Sequence, residues 1–327
     1  MPSLLQDLQV PGASLALLHE GKLAWSGQFG QCEAGHERPV QANTVFEAAS
    51  LSKPLFAYLV LQAVQAGQIE LDRPVLDYLP QELWRPPQTG QRMITARMLL
   101  SHRSGLPNWR SAADESLQTL QLAHEPGDRF LYSGEAYFYL QRVIEHITGT
   151  GLQALAEKAL FKPLGMSNSA FSLTPKLMGL RARGHDELGQ VLPEQDYQDA
   201  NAAYTLYTTP ADYAMFVAEL LRPSHDTPHA LKSASIQAML AHVTIATDRE
   251  PIERPGLQQG PTVFWGLGWA INTNVQGDIA YHTGTNSTGF RNYCQFSPSR
   301  GSGFILMSNG LRGNELWRQL MPLLGAR

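Results

Sequence analysis

Two apolar runs open the chain on either side of His19-Glu-Gly-Lys22, within Val10-Pro-Gly-Ala-Ser-Leu-Ala-Leu-Leu-His-Glu-Gly-Lys-Leu-Ala-Trp-Ser-Gly27. A polar, glycine-bearing break between such runs predicts a β-hairpin. After Ser50 the period changes: Leu55, Leu59, Gln62, Ala63 and Ala66 recur at spacings of three and four, and Gly67 follows. That spacing predicts a buried helix from about Ser50 to Ala66. From Asp72 to about Pro210, proline-punctuated loops such as Leu83-Trp-Arg-Pro-Pro-Gln-Thr-Gly90 alternate with helical stretches. One predicted helix runs from Glu135 to Thr148, with Leu140, Val143, Ile144 and Ile147 on one face and Gly149 as its cap. A second runs from Leu152 to Leu160 and is stopped by Pro163. Strand texture returns in Thr262–Ile271, Asp278–Tyr281, Phe290–Phe296 and Gly303–Ser308, before a final helix from Asn314 to Leu324.

Strands at both ends with helices between them predict an α/β fold of the α+β type. Its sheet would be mainly antiparallel, flanked by helices and assembled from both ends of the chain. Residues 1–71 and 211–327 would form the sheet domain, and residues 72–210 a helical insertion. With 43% hydrophobic and 17% charged residues among 327, the chain can bury a substantial core. The net charge of −4, with no basic run, offers little to a nucleic-acid backbone. No apolar stretch approaches the roughly 20 residues of a membrane span. Met1-Pro-Ser-Leu-Leu-Gln-Asp7 has neither the basic start nor the apolar run of an export signal, so a cytoplasmic location is expected. Cys32 and Cys294 are the two cysteines, read as free thiols.

Candidate chemistry begins at Phe46-Glu-Ala-Ala-Ser-Leu-Ser-Lys-Pro54, where Ser50 and Lys53 share one face of the predicted helix start. A serine hydroxyl needs a proton acceptor beside it to become a nucleophile, and a lysine amine at this spacing can supply one. Taken alone, the pair is far more readily read as a helix cap followed by a surface lysine. Two distant segments change that. Phe130-Leu-Tyr-Ser-Gly-Glu135 puts Tyr132 just before the clearest helix, and Tyr281-His-Thr-Gly-Thr285 closes a predicted strand. Ser50-Leu-Ser-Lys53, Tyr132-Ser-Gly134 and His282-Thr-Gly284, in that order, resemble the three motifs of the penicillin-recognising serine hydrolases. The branch most resembled includes class C β-lactamases, a type of serine DD-peptidase and related esterases. Met98–Pro107, Glu125–Phe130, Pro163–Met166 and Trp265-Gly-Leu-Gly-Trp269 resemble the same branch, so the likeness extends over nearly the whole chain.

The resemblance implies an acyl-enzyme on Ser50, with Lys53 and Tyr132 as the catalytic pair that moves the proton, either of them as the base. It implies that His282 opens the third catalytic motif, on an edge strand facing the nucleophile. It also implies an oxyanion hole from the backbone N–H groups of Ser50 and Thr285. Thr283, Gly284 and Gly134 would meet the substrate, with Gly284 leaving room for a substrate lying along the strand. Two departures stand out. Gly134 stands where many members carry asparagine, whose amide contacts a substrate amide, and His282 stands where class C β-lactamases usually carry lysine. Both favour a neutral ester, and hence a carboxylesterase, over an anionic β-lactam. The alternatives are a D-amino-acid peptidase or amidase, a weak β-lactamase, and a non-catalytic binding protein on the same fold.

Other chemistries are poorly represented. Gly-x-Ser-x-Gly, phosphate loops and His-Glu-x-x-His are all absent from the sequence, and His225 and His229 stand in a proline-bearing loop without a matching carboxylate pattern. No metal and no cofactor are expected, and the partner is a small ester or amide substrate. His102 is expected to bond nearby loop backbone, Ser104-Gly105 to form a turn, and Phe264, Trp265 and Trp269 to pack in the core or the cleft wall.

Overall fold

A computed structural model describes residues 1–79, 88–110, 120–223, 230–247, 262–274 and 277–324. His225, His229 and the Leu83–Pro87 part of the first proline-rich loop lie outside the described residues. In chain order the elements are α1 (Pro2–Asp7), β1 (Gly12–His19), β2 (Lys22–Gly30), β3 (Phe46–Glu47), α2 (Ser52–Gln65), α3 (Ala96–Leu100) and α4 (Gly134–Thr148). There follow α5 (Leu152–Ala156), α6 (Lys162–Leu164), α7 (Pro175–Met178), β4 (Tyr207–Thr208), α8 (Pro210–Leu221) and α9 (Ser233–Met239). The rest of the sheet and the last helix are β5 (Thr244–Ile245), β6 (Val263–Trp265), β7 (Ala270–Asn274), β8 (Gly277–Thr285), β9 (Arg291–Ser297), β10 (Ser302–Ser308) and α10 (Gly313–Leu324).

The expected hairpin is β1–β2, and β1 pairs on its other side with β10, which joins the two ends of the chain. The eight-stranded antiparallel sheet has the order β2-β1-β10-β9-β8-β7-β6-β5. Phe304-Ile-Leu-Met307 in β10 reads as an unbroken apolar run because both faces of the sheet are covered. Phe304 and Leu306 pack with Ala13, Leu15, Tyr293 and Trp317 on the side of α1 and α10. Ile305 and Met307 pack with Ala16, Cys294 and Phe296 in the larger cluster, which continues through α2 and α8 into α3 and α4. In α2 every residue from Ser52 to Leu61 is buried, so the helix is enclosed on all sides and carries Lys53 inside with it.

Local chemistry sets the ends of α4. Ser133 is its N-cap, accepting from the Ala136 N–H at 2.9 Å, and Gly149 closes it at φ 63°. Elsewhere the boundaries moved. Ala49–Leu51 is a 3₁₀ turn, and the α-helix starts only at Ser52. Thr262–Ile271 is two strands, because Gly268 at φ 96° turns the chain between β6 and β7. Pro163 does not stop its helix: a widened π turn over Glu157–Phe161 precedes it, and Gly165 at φ 68° ends the run. A proline in the first turn of α6 needs no N–H, so the chain can pass through it.

Candidate active site

The turn that carries Ser50 is strained and held from several directions. Ala49, which has no glycine's freedom, sits at φ 50°. The Ala48 N–H donates to the Leu206 carbonyl at 2.7 Å, and the Tyr213 hydroxyl donates to the Leu51 carbonyl at 3.1 Å. Asn292 Nδ2 donates to the Glu47 carbonyl at 2.9 Å, tying the same turn to β9. The two serines of Ser50-Leu-Ser-Lys53 have different tasks. Ser52 Oγ donates to the Ala49 carbonyl at 2.7 Å and accepts from the Leu206 N–H at 2.9 Å, so it belongs to the scaffold. Ser50 lines the cleft.

Lys53 is fully buried, and its Nζ donates to Ser50 Oγ at 3.1 Å and to the Ala203 carbonyl at 2.8 Å. The carbonyl holds the amine in place in either protonation state, since a neutral amine still has hydrogens to donate. As a neutral amine, Lys53 can accept the Ser50 proton across the same 3.1 Å separation. The Tyr132 ring lies 4.8 Å from Lys53 Nζ. Tyr132 is fixed by rings: centroids of His102 and Trp265 lie 4.3 and 5.6 Å away. His102 accepts from the Ser133 N–H through Nδ1 at 3.0 Å, which is the backbone bond expected of it. Ser104 forms a bend, its Oγ accepting from the Leu106 N–H at 3.4 Å, with Gly105 at φ 78°, and Trp265 and Trp269 are buried core residues.

The third motif lies on β8, which is interior to the sheet rather than its edge. Its pairing with β7 ends at Tyr281, whereas its pairing with β9 continues to Thr285. Residues 282–285 therefore become an edge only beyond the end of β7. Alternation along this stretch turns Thr283 and Thr285 into the cleft and His282 and Gly284 to the opposite face. A side chain at Gly284 would collide with the Ala48 carbonyl oxygen. The close approach of β8 to the turn that carries Ser50 requires glycine here. His282 is buried one layer behind the wall, 6.2 Å from the Tyr132 ring, and its Nδ1 lies 2.7 Å from the Thr283 carbonyl. A carbonyl only accepts, so Nδ1 carries hydrogen.

The cleft in front of Ser50 has a volume of about 700 Å³. Tyr132, Thr283 and Thr285 line it together with Asn108, Trp109, Tyr204 and Asn286. Ser50, Lys53, Tyr132 and the Thr283–Thr285 strand thus come together from three separate parts of the sequence.

Compared with known families, residues 2–323 match the one described as Beta-lactamase. The chain belongs to the Beta-lactamase family. Among curated relatives of this Beta-lactamase-family chain, protein Flp of Staphylococcus aureus (strain N315) is 23% identical over 319 residues, covering 93% of this chain and 61% of Flp. The chain thus spans less than two thirds of that relative's length. Esterase EstB of Burkholderia gladioli is 29% identical over 191 residues, covering 51% of this chain and 48% of EstB. A solved structure of the D-alanine carboxypeptidase AmpC from Burkholderia cenocepacia superposes with a TM-score of 0.78 at 21% identity, covering 97% of this chain and 95% of that one, a likeness of fold.

Several residues of this Beta-lactamase-family site had no distinguishing signal in sequence. Glu47 was visible only as part of the serine motif. Its carboxylate accepts from Thr288 Oγ1 at 2.6 Å and from Asn286 Nδ2 at 2.8 Å, gripping the loop that follows Thr285. Burial pushes this carboxyl up to about 7 against the Thr288 and Asn286 hydrogen bonds and the Arg181 charge, which pull it down; the Glu194 charge adds slightly to the rise. A carboxyl raised on folding contributes stability that is fully present below its unfolded value near 4.5 and is lost as pH rises through about 7. Glu47→Gln is expected to flatten the decline in melting temperature between about pH 5 and about pH 8, measured by calorimetry beside wild type. Parallel declines in the two proteins would contradict this.

Proposed function

We propose that this chain is a serine hydrolase that forms an acyl-enzyme on Ser50 and acts as a carboxylesterase on small, uncharged esters. The observation that carries the reading is the 3.1 Å bond between the buried Lys53 amine and Ser50 Oγ on the floor of an open cleft. Ser50 Oγ would attack the ester carbonyl carbon while its proton passes to Lys53 or Tyr132. The negative carbonyl oxygen would be met by the backbone N–H groups of Ser50 and Thr285. Collapse breaks the bond to the alcohol oxygen, which leaves with the proton. Water then attacks the acyl carbon, its proton passes back through the same pair to Ser50 Oγ, and the acid is released.

An ester is favoured over a β-lactam or a D-amino-acid peptide for two reasons. Residue 134 has no side chain with which to hold a substrate amide. His282 is turned away from the cleft, behind Thr283, where it would position Tyr132 rather than hold a substrate carboxylate. The purified protein is expected to hydrolyse p-nitrophenyl butyrate and to show no penicilloyl adduct by intact mass after exposure to benzylpenicillin. An adduct without ester turnover would replace this reading with the β-lactam or peptidase one.

A further inference from the structure

Gly134 is overlaid by an aromatic ring. A Cβ built on it would stand 2.6 and 2.7 Å from Cζ2 and Cζ3 of Trp109, so the indole occupies the space a side chain at 134 would need. The backbone beneath Trp109 is fastened to the start of α4. The N–H groups of Gly134 and Glu135 donate to the Asn108 carbonyl at 3.0 and 3.1 Å. Arg110 donates to Glu135 Oε1 through its backbone N–H at 3.0 Å and its Nε at 2.8 Å, and its Nη2 bonds Glu135 Oε2. Both side chains of this pair are nearly buried, at 9% and 5% exposure, whereas Trp109 remains 47% exposed beside the cleft. Its ring and that of Tyr204 pack perpendicular to each other, with centroids 5.4 Å apart and an angle of 85°, and Phe138 also lines the cleft.

The geometry points to Trp109 as the residue that sets the acyl group of the proposed ester substrate, selecting uncharged acids that carry an aromatic ring. An indole packed perpendicular to a tyrosine gives a ring offset-stacked and edge-to-face partners, which an alkyl chain cannot use as fully. Charge is disfavoured because Arg110 and Glu135, the charged side chains among the described lining residues, are bonded to each other. Gly134 is then the complement of Trp109: with no side chain of its own, it lets the ring lie flat.

This inference rests on the ester reading, so its test separates the two. The ratio of kcat/KM for p-nitrophenyl phenylacetate over p-nitrophenyl acetate is expected to fall about tenfold in Trp109→Ala, about 1.4 kcal/mol. Gly134→Ala should lower the ratio in the same direction by displacing the indole. Binding of 2-phenylethylboronic acid, followed by calorimetry, needs no turnover and should weaken by a similar factor in Trp109→Ala. An unchanged ratio with unchanged boronate affinity would overturn the role of Trp109. Loss of boronate affinity in a protein that cleaves neither ester would overturn the ester reading and retain the aromatic wall.

Discussion

Ser50→Ala is expected to lower ester hydrolysis by about 10⁴-fold or more, to the rate supported by the remaining cleft alone. The reason lies in the division of labour between the two serines. Ser52 makes the scaffold bonds of the turn, to the Ala49 carbonyl and from the Leu206 N–H, while Ser50 Oγ meets Lys53 at the cleft. Removing the Ser50 hydroxyl should therefore leave the melting temperature within a few degrees of wild type. Ser52→Ala should do the reverse, costing stability of about 1–3 kcal/mol by leaving a buried N–H without its acceptor. Activity lost in Ser52→Ala and kept in Ser50→Ala would contradict the assignment.

The second large effect concerns the proton. Lys53→Ala and Tyr132→Phe are each expected to reduce kcat by about 10²–10⁴, the usual share of a general acid or base. The two substitutions differ in their structural cost. Tyr132→Phe keeps the ring packed against His102 and Trp265, so its loss reports the hydroxyl alone. Lys53→Ala also removes the donor to the Ala203 carbonyl inside a fully buried site, so it should unfold at lower temperature as well. A few-fold effect in either would remove that residue from the mechanism.

Patterns that repeat along the chain carried the architecture. α4 was legible to within one residue because its apolar stripe and terminal glycine agree. The antiparallel sheet from both ends was legible because its strands are short, apolar and bounded by turn residues. Boundaries fixed by tertiary strain were not. The 3₁₀ turn before α2 depends on Ala49 being forced to φ 50° by bonds from Leu206, Tyr213 and Asn292, which lie far along the sequence. Pro163 carries the usual mark of a helix stop, and the π turn that lets the chain continue has no such mark of its own.

The site divides the same way. Ser50, Lys53, Tyr132 and Thr283–Thr285 stand in motifs with fixed internal spacing, and they meet around one cleft. Trp109 and Arg110 stand in no such pattern, and Glu47 has no spacing signal of its own within the serine motif: each acquires its place from a partner at least 25 residues away, so single-sequence spacing has nothing to register.

The most direct measurement is peptide mass spectrometry of the purified protein after exposure to a fluorophosphonate. It locates the nucleophile without assuming a substrate. A single adduct on Ser50, absent in Ser50→Ala and formed far more slowly in Lys53→Ala, is the predicted result. An adduct on Ser52 or another residue, or none in the wild-type protein, would contradict a Lys53-activated Ser50.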